Sequence, residues 1–254
     1  MKLFLTANIT VHLDDALSDD LRPNFIFSSS GALVSYGKID QNTEVSSIID
    51  ATIGSDHWMS DNSDFFRFDA SGKMHSLILS VSERNSEHPP KVPHGTQKKH
   101  SLKLIDLNQA FTVAPQPHRF FDYKNRILYG FNEEKTTLIT NSITICDEFL
   151  VLFDENNLYS GWAIKNPIEK IADSLQDRPE FKYISDATYN VFNIFLKLFS
   201  DNSYDEADGE IEIVISNLEK KLNKSVLLGI ENEKIRMMII TAIEELREYH
   251  CKSS

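Results

Sequence analysis

Apolar and polar positions change their rhythm about two-thirds of the way along the chain. Up to about Ile164 the pattern is one of short strands separated by turns. Lys2–Leu13 alternates as a first strand. Asn24–Ser28 and Ala32–Gly37 flank Ser29-Ser30-Gly31. Phe65–Phe68 and Met74–Val81 flank Asp69-Ala70-Ser71-Gly72, a hairpin signature in which glycine supplies the positive φ. Phe120–Tyr123 and Ile127–Phe131 flank Lys124-Asn125-Arg126. Thr137–Cys146, Phe149–Phe153 and Tyr159–Ile164 then read as a meander, with turns near Asp147-Glu148 and at Glu155-Asn156-Asn157.

Past Pro167 the period becomes helical. Ile168–Leu175 is expected as a short helix. Ser185 or Asp186 can cap a longer one running to about Ser200. Its apolar set, from Val191 through Phe199, wraps most of the circumference, which predicts a largely buried helix. Glu210–Leu222 places Ile211, Val214, Ile215, Leu218 and Leu222 at i, i+3, i+4, i+7 spacing. Glu231–His250 carries a second clean stripe: Ile235, Met238, Ile239, Ala242, Leu246 and Tyr249. Gly229 breaks the preceding segment.

Strands first and helices after predict an α+β protein. Its antiparallel β-rich body, a meander, sandwich or barrel, spans residues 1–165. A helical region of three to four helices follows over residues 166–254, on or beside that body. Such segregation argues against a doubly wound parallel sheet. A chain of 254 residues and 29.0 kDa is large enough to bury roughly three-quarters of its unfolded surface without disulfides or metals.

Charge narrows the choice of partner. The formal net charge is −12. A general nucleic-acid binder needs a basic face to displace counterions, so nucleic acid is not expected as a partner. Anionic lipid is disfavoured for the same reason, and no apolar run approaches 18 residues. The opening apolar run, Leu3-Phe4-Leu5, is too short for a signal-peptide core. Cys146 and Cys251 are too few for a disulfide framework, and a reduced cytoplasmic pair is expected.

Candidate chemistry is sparse. The longest irregular stretch, Ser82–Ser101, is basic and carries Pro89, Pro90 and Pro93. Its His88, His94 and His100 are spaced six residues apart and could hold zinc if the loop wrapped around it. They sit in a polar loop with no interleaved carboxylates, and no metal or other cofactor is expected. The acidic run Asp201–Glu212 superficially resembles a calcium-binding EF-hand loop. With Gly209 as the invariant glycine, Tyr204 and Ile215 fall on ligand positions that need carboxylates, so both ends fail. Its plainer roles are a cap from Asp208 and acids that complement the dipole of the next helix. Asp14-Asp15 and Asp19-Asp20 form acidic pairs without the second motif a magnesium–diphosphate site requires. Cys146 precedes Asp147-Glu148, carboxylates that raise a thiol's pKa. Gly-x-Ser-x-Gly, His-Glu-x-x-His and phosphate-binding glycine loops are absent from the sequence. Gly161-Trp162 reads as core packing against a helix.

Two functional expectations follow. The first is a non-catalytic acidic protein that occupies a basic partner. In general style it is similar to bacterial immunity proteins, which neutralise nuclease or other toxins; the likeness rests on acidity and missing catalytic motifs. Its contact residues would be Asp201, Asp205, Glu206, Asp208, Glu210 and Glu212, then Asp14, Asp15, Asp19 and Asp20. The carboxylates would steer association and block a substrate-binding face. The second is a hydrolase-like enzyme, its site assembled from dispersed His, Asp and Glu residues under the 82–101 loop.

Overall fold

The computed structural model describes residues 1–15, 21–28, 31–37, 45–55, 63–94, 96, 98–107, 111–133, 139–172, 174, 184–207 and 210–253, with only the backbone at 45 and 249–253. Three antiparallel sheets fill the N-terminal two-thirds and helices follow, the α+β arrangement expected from the change of rhythm.

The first sheet joins β1 (Lys2–Thr6), β2 (Ile9–Asp15) and β8 (His100–Leu104), in the order β1-β2-β8. Lys2–Leu13 is thus two strands and not one. Ala7-Asn8 turns the chain so that Thr6 lies opposite Ile9 and Leu3 opposite Val11, and the apolar residues of both strands share the buried face. The second sheet holds β3 (Asn24–Ser28), β4 (Gly31–Gly37), β5 (Ile53–Gly54), β6 (Phe65–Phe68) and β7 (Met74–Val81), ordered β3-β4-β7-β6-β5. A short helix, α1 (Val45–Ala51), precedes β5. The third sheet holds β9 (His118–Asp122), β10 (Ile127–Phe131), β11 (Ile139–Cys146), β12 (Phe149–Asp154) and β13 (Tyr159–Lys165), ordered β11-β12-β13-β10-β9.

Among the described residues, the turns at Asp69–Gly72, Lys124–Arg126, Asp147-Glu148 and Glu155–Asn157 are where the residues put them, while Ser29 and Ser30 lie outside the described residues. Gly72 takes φ 81°, and a Cβ there would strike the Leu104 carbonyl. Trp162 is fully buried and lies opposite Gly130 across the β10–β13 ladder. A Cβ on Gly130 would collide with the indole, so this glycine is the space in which the ring lies.

The outer strands, or for β5 the residue just past it, have backbone partners outside their own sheets. Phe4 of β1 donates to the Asn157 carbonyl (2.9 Å), and Leu104 of β8 donates to Gly72 (2.7 Å). Phe25 of β3 accepts from Ala172 (2.9 Å), and Ser55, just past β5, bridges Phe111. One connection covers both edges of the third sheet. Its first part follows β9, where Ser86 donates to Arg119 and Arg119 to Arg84, each at 2.8 Å. Its later part follows β11, where Thr96 donates to Ser142 (3.1 Å) and Ser142 Oγ donates to the Pro93 carbonyl (2.8 Å). The stretch read as a polar loop is therefore a strap along two sheet edges. Each of these bonds occupies part of an edge that would otherwise be open to a foreign strand.

The helices are α2 (Asp186–Leu198), α3 (Asp201–Glu206), α4 (Ile211–Lys221), α5 (Lys224–Leu228) and α6 (Glu233–Ser253). Ser185 caps α2 by accepting from Thr188, and Phe192, Phe195 and Leu196 are buried as the wrapped pattern predicts. The described part of the expected helix at Ile168–Leu175 is a 3₁₀ turn, Pro167–Lys170, after which Ile171 extends to pair with Phe25; residues 173 and 175 lie outside the described residues. Phe27 of β3 meets Phe195 and Phe199 edge-on, at 5.2 and 5.7 Å between centroids. Phe121 of β9 meets Phe192 likewise at 5.6 Å. One apolar cluster consequently runs from the strands into the helices. None of the described helices is long and apolar enough to cross a membrane.

Candidate functional site

The acidic run after α2 begins as a helix. Ser200 accepts a hydrogen bond from Ser203 N–H and starts α3 at Asp201, so the first half of the run is helical. Asp208, the expected cap of the next helix, lies outside the described residues. The N-cap of α4 is Glu210, which holds the helix start without a side-chain bond. Asp201, Asp205, Glu206, Glu210 and Glu212 are all exposed. Two apolar side chains stand among them in sequence: Tyr204, 46% exposed, and Ile213, 44% exposed. Ile213 falls off the buried stripe of Val214, Ile215 and Leu218, a signal already present in the spacing. Tyr204 carried no such signal, because its segment had no expected helix.

Part of this acidic surface is answered within the chain. Arg84 meets Asp205 at 3.0 Å. Asp201 N–H donates to the Glu83 carbonyl (3.2 Å), and Asn85 and Asn202 exchange two hydrogen bonds, at 2.6 and 3.1 Å. The strap and α3, distant in sequence, are thus locked together. The other acidic pair behaves alike. Asp14 is half-buried and Asp15 exposed at the end of β2, with Asp15 3.3 Å from Lys98 of the strap. Lys99 meets Asp147 at 3.0 Å. Asp19 and Asp20 lie outside the described residues. The strap's cations are therefore spent in part on the chain's own carboxylates, Asp15, Asp147 and Asp205.

Beneath the lock sits a buried arginine. Arg119 of β9, 1% exposed, donates Nη2 to the carbonyls of Leu196 (2.8 Å) and Phe199 (2.6 Å), and Nε to Asn85 Oδ1 (2.9 Å). It closes the C-terminal end of α2, where carbonyls lack helical partners. Burial pulls its pKa down to about 10, against the opposing pull of Glu83 and Asp201. Burial likewise raises Glu83, with Arg119 opposing it.

Other candidates separate in space. His88 and His94 are exposed while His100 lies half-buried in β8, and among the described residues no three metal-ligating side chains converge. Cys146 is buried; burial pushes its thiol up to about 11, against the backbone hydrogen bond from Glu148 and away from nucleophilic use. Under the strap, Ser86 Oγ lies 3.0 Å from Glu133 Oε1, and His118 Nε2 lies 3.6 Å from Glu133 Oε2. A hydrolytic triad needs the imidazole on the hydroxyl with the carboxylate behind it. Here the carboxylate stands between the two. A cleft of about 220 Å³ among α4, α5 and α6 has an apolar floor of Leu222, Leu227, Ile240 and Ile243 and no histidine.

No protein-family model matches the chain, and neither the curated proteins nor the solved structures include a similar one.

Proposed function

We propose that the chain is a non-catalytic acidic binding protein that acts by occupying a basic protein partner. The observation that carries this reading is the surface of α3 and the start of α4. Exposed Tyr204 and Ile213 are interleaved there with exposed Glu206, Glu210 and Glu212. Partially exposed aromatic and aliphatic anchors within a charged surroundings are the composition that interfaces use: anchors supply the energy, and rim charges supply steering and register. In its narrower form the partner is a toxin, and the carboxylates take the place of substrate phosphates, as an immunity protein's would. A net charge of −12 accelerates encounter with a basic surface and makes it sensitive to salt.

The test is co-purification from the source cell, followed by charge reversal. Glu206→Lys and Glu210→Lys together avoid Asp205, Asp15 and Asp147, the carboxylates paired with the strap's cations. A slower, less salt-dependent association supports the reading. A partner bound equally well by this variant, or no stoichiometric protein partner at all, sinks it.

The enzyme reading would rest on the Ser86–Glu133–His118 group under the strap, which brings the residue types together but not in the order of a hydrolytic triad. A Glu133→Gln variant that abolished a hydrolytic activity without loss of fold would promote that reading over the first.

A further inference from the structure

The chain turns sharply between α4 and α6. Asn223 accepts from Ser225 N–H (3.0 Å) and Val226 N–H (3.2 Å) and starts α5, which runs only from Lys224 to Leu228. So short a helix does not fill the space between its longer neighbours, and the cleft of about 220 Å³ is what remains.

The size of the cleft selects its occupant. An apolar cavity of about 150 Å³ already accepts a benzene ring, and small-molecule sites begin at about 300 Å³. The cleft lies between the two, room for one large apolar side chain on a floor of leucine and isoleucine. A knob of that kind stands beside the hole. Leu228 is 62% exposed and lies one helical turn past Lys224, which lines the cleft. On α6, Met237 is 48% exposed and lies one turn before Ile240, on the floor.

Charge favours a second copy of this chain as the source of the knob. Four charged side chains line the cleft: Glu219, Lys224, Glu244 and Arg247, two of each sign, with Glu219 paired to Arg247. A net charge of −12 holds copies of the chain apart. At this neutral rim that repulsion is locally lifted, and a two-fold axis lets cations of one copy meet anions of the other.

We propose that the cleft is half of a two-fold interface, in which Leu228 of each copy enters the cleft of the other and Met237 packs at its border. A patch that carries both knob and hole is self-complementary, so the contact closes at two copies. It sits at the end of α4, about 15 Å along the helix from the acidic start, and does not depend on the reading of that surface.

Sedimentation equilibrium of the intact protein, from micromolar to near-millimolar concentration, is the test. The mass should rise from 29.0 kDa to twice that value and stop there. Leu228→Asp should weaken the dimer by about a hundredfold, because it deletes two symmetry-related knobs at once. Thermal unfolding of this variant should match that of the wild-type monomer, since the side chain is exposed. Lys224→Glu gives each rim a net negative charge and should weaken the dimer by about tenfold in low salt, with Glu244→Lys in the same chain restoring it. A mass fixed at one copy overturns the proposal, as does a dimer indifferent to Leu228→Asp or an assembly that continues past two. A small apolar molecule retained by the wild type and lost from Leu228→Asp in native mass spectrometry, or a different protein lost with the same substitution, overturns it in favour of that occupant.

Discussion

Two buried arginines close the C-terminal ends of two helices, and they do it over very different lengths of chain. Arg67 of β6 donates to the carbonyls of Ile49, Thr52 and Ser55 and to Thr52 Oγ1, all within 18 residues of itself. Its guanidinium also lies over the Phe65 ring, 5.2 Å from the centroid. Arg119 reaches 77 and 80 residues along the chain to Leu196 and Phe199. The chemistry is the same: carbonyls left over at a helix end, satisfied by a planar cation from a neighbouring strand. The consequence differs. Arg67 folds α1 back onto its own sheet. Arg119 joins the helical region to the third sheet and, through Asn85, to the strap.

That contrast can be broken by removing each guanidinium in turn. Arg119→Leu strands the Phe199 carbonyl and Asn85 Oδ1, while Leu196 keeps the Asn85 amide (3.1 Å), for a loss of about 3–5 kcal/mol. Hydrogen exchange should accelerate through α2 and α3 together. Arg67→Leu should cost somewhat less, about 2–4 kcal/mol, because α1 is short and its residues can relax toward solvent. Exchange should then accelerate in α1 and β5 and leave α2 protected. Equal and uniform loss of protection in both variants would erase the distinction between a local and a long-range joint.

The same distinction marks what could be read from the sequence. Turns and stripes depend on neighbours within a few residues. Asp69–Gly72, Glu155–Asn157, the Ser185 cap and the α4 and α6 stripes were accordingly legible. Helix α1 was not: VSSIIDA is rich in β-branched residues, with no acid in its first turn and no base in its last. Arg67 supplies from another strand what the segment lacks. Nor did the strap show itself, since its bonds to Arg119 and Ser142 cross dozens of residues. For the candidate surface, acidity was plain in the composition. The capture of Asp205 by Arg84, 121 residues away, was not, because it exists only once the strap is laid along β9.

A third joint should give a smaller effect. Glu231, just before α6, accepts from Ser185 N–H (2.6 Å), Ser185 Oγ (2.9 Å) and Thr188 Oγ1 (2.7 Å) at the start of α2. Desolvation acts to raise its pKa, but these donors outweigh it and bring it down to about 2 from 4.5. The charged form is thus the one the fold favours. Its contribution is complete above about pH 4.5 and fades as pH falls toward 2. The carboxylate is exposed, so solvent screening holds the cost of Glu231→Gln to about 1 kcal/mol at pH 7. The variant should lose stability less steeply than wild type on acidification from pH 4.5. A parallel pair of acid-unfolding curves would show that this contact does not hold α2.

The smallest effect belongs to the contact that looks most like a functional interaction. Arg84 and Asp205 are 47% and 61% exposed, and an ion pair in that setting contributes about 0–0.5 kcal/mol. Arg84→Ala, Asp205→Ala and their double variant should give a coupling energy near the lower end of that range, and salt should remove most of it. The lock between strap and α3 then rests on its uncharged bonds, Asn85 with Asn202 and Asp201 N–H with Glu83. Charge at Asp205 is in that case dispensable to the fold, and a basic partner can compete for it against Arg84 at little cost. A coupling well above 1 kcal/mol would reverse the argument: Asp205 would belong to the long-range joint that Arg119 anchors, and the partner surface would retreat to Glu206, Glu210 and Glu212.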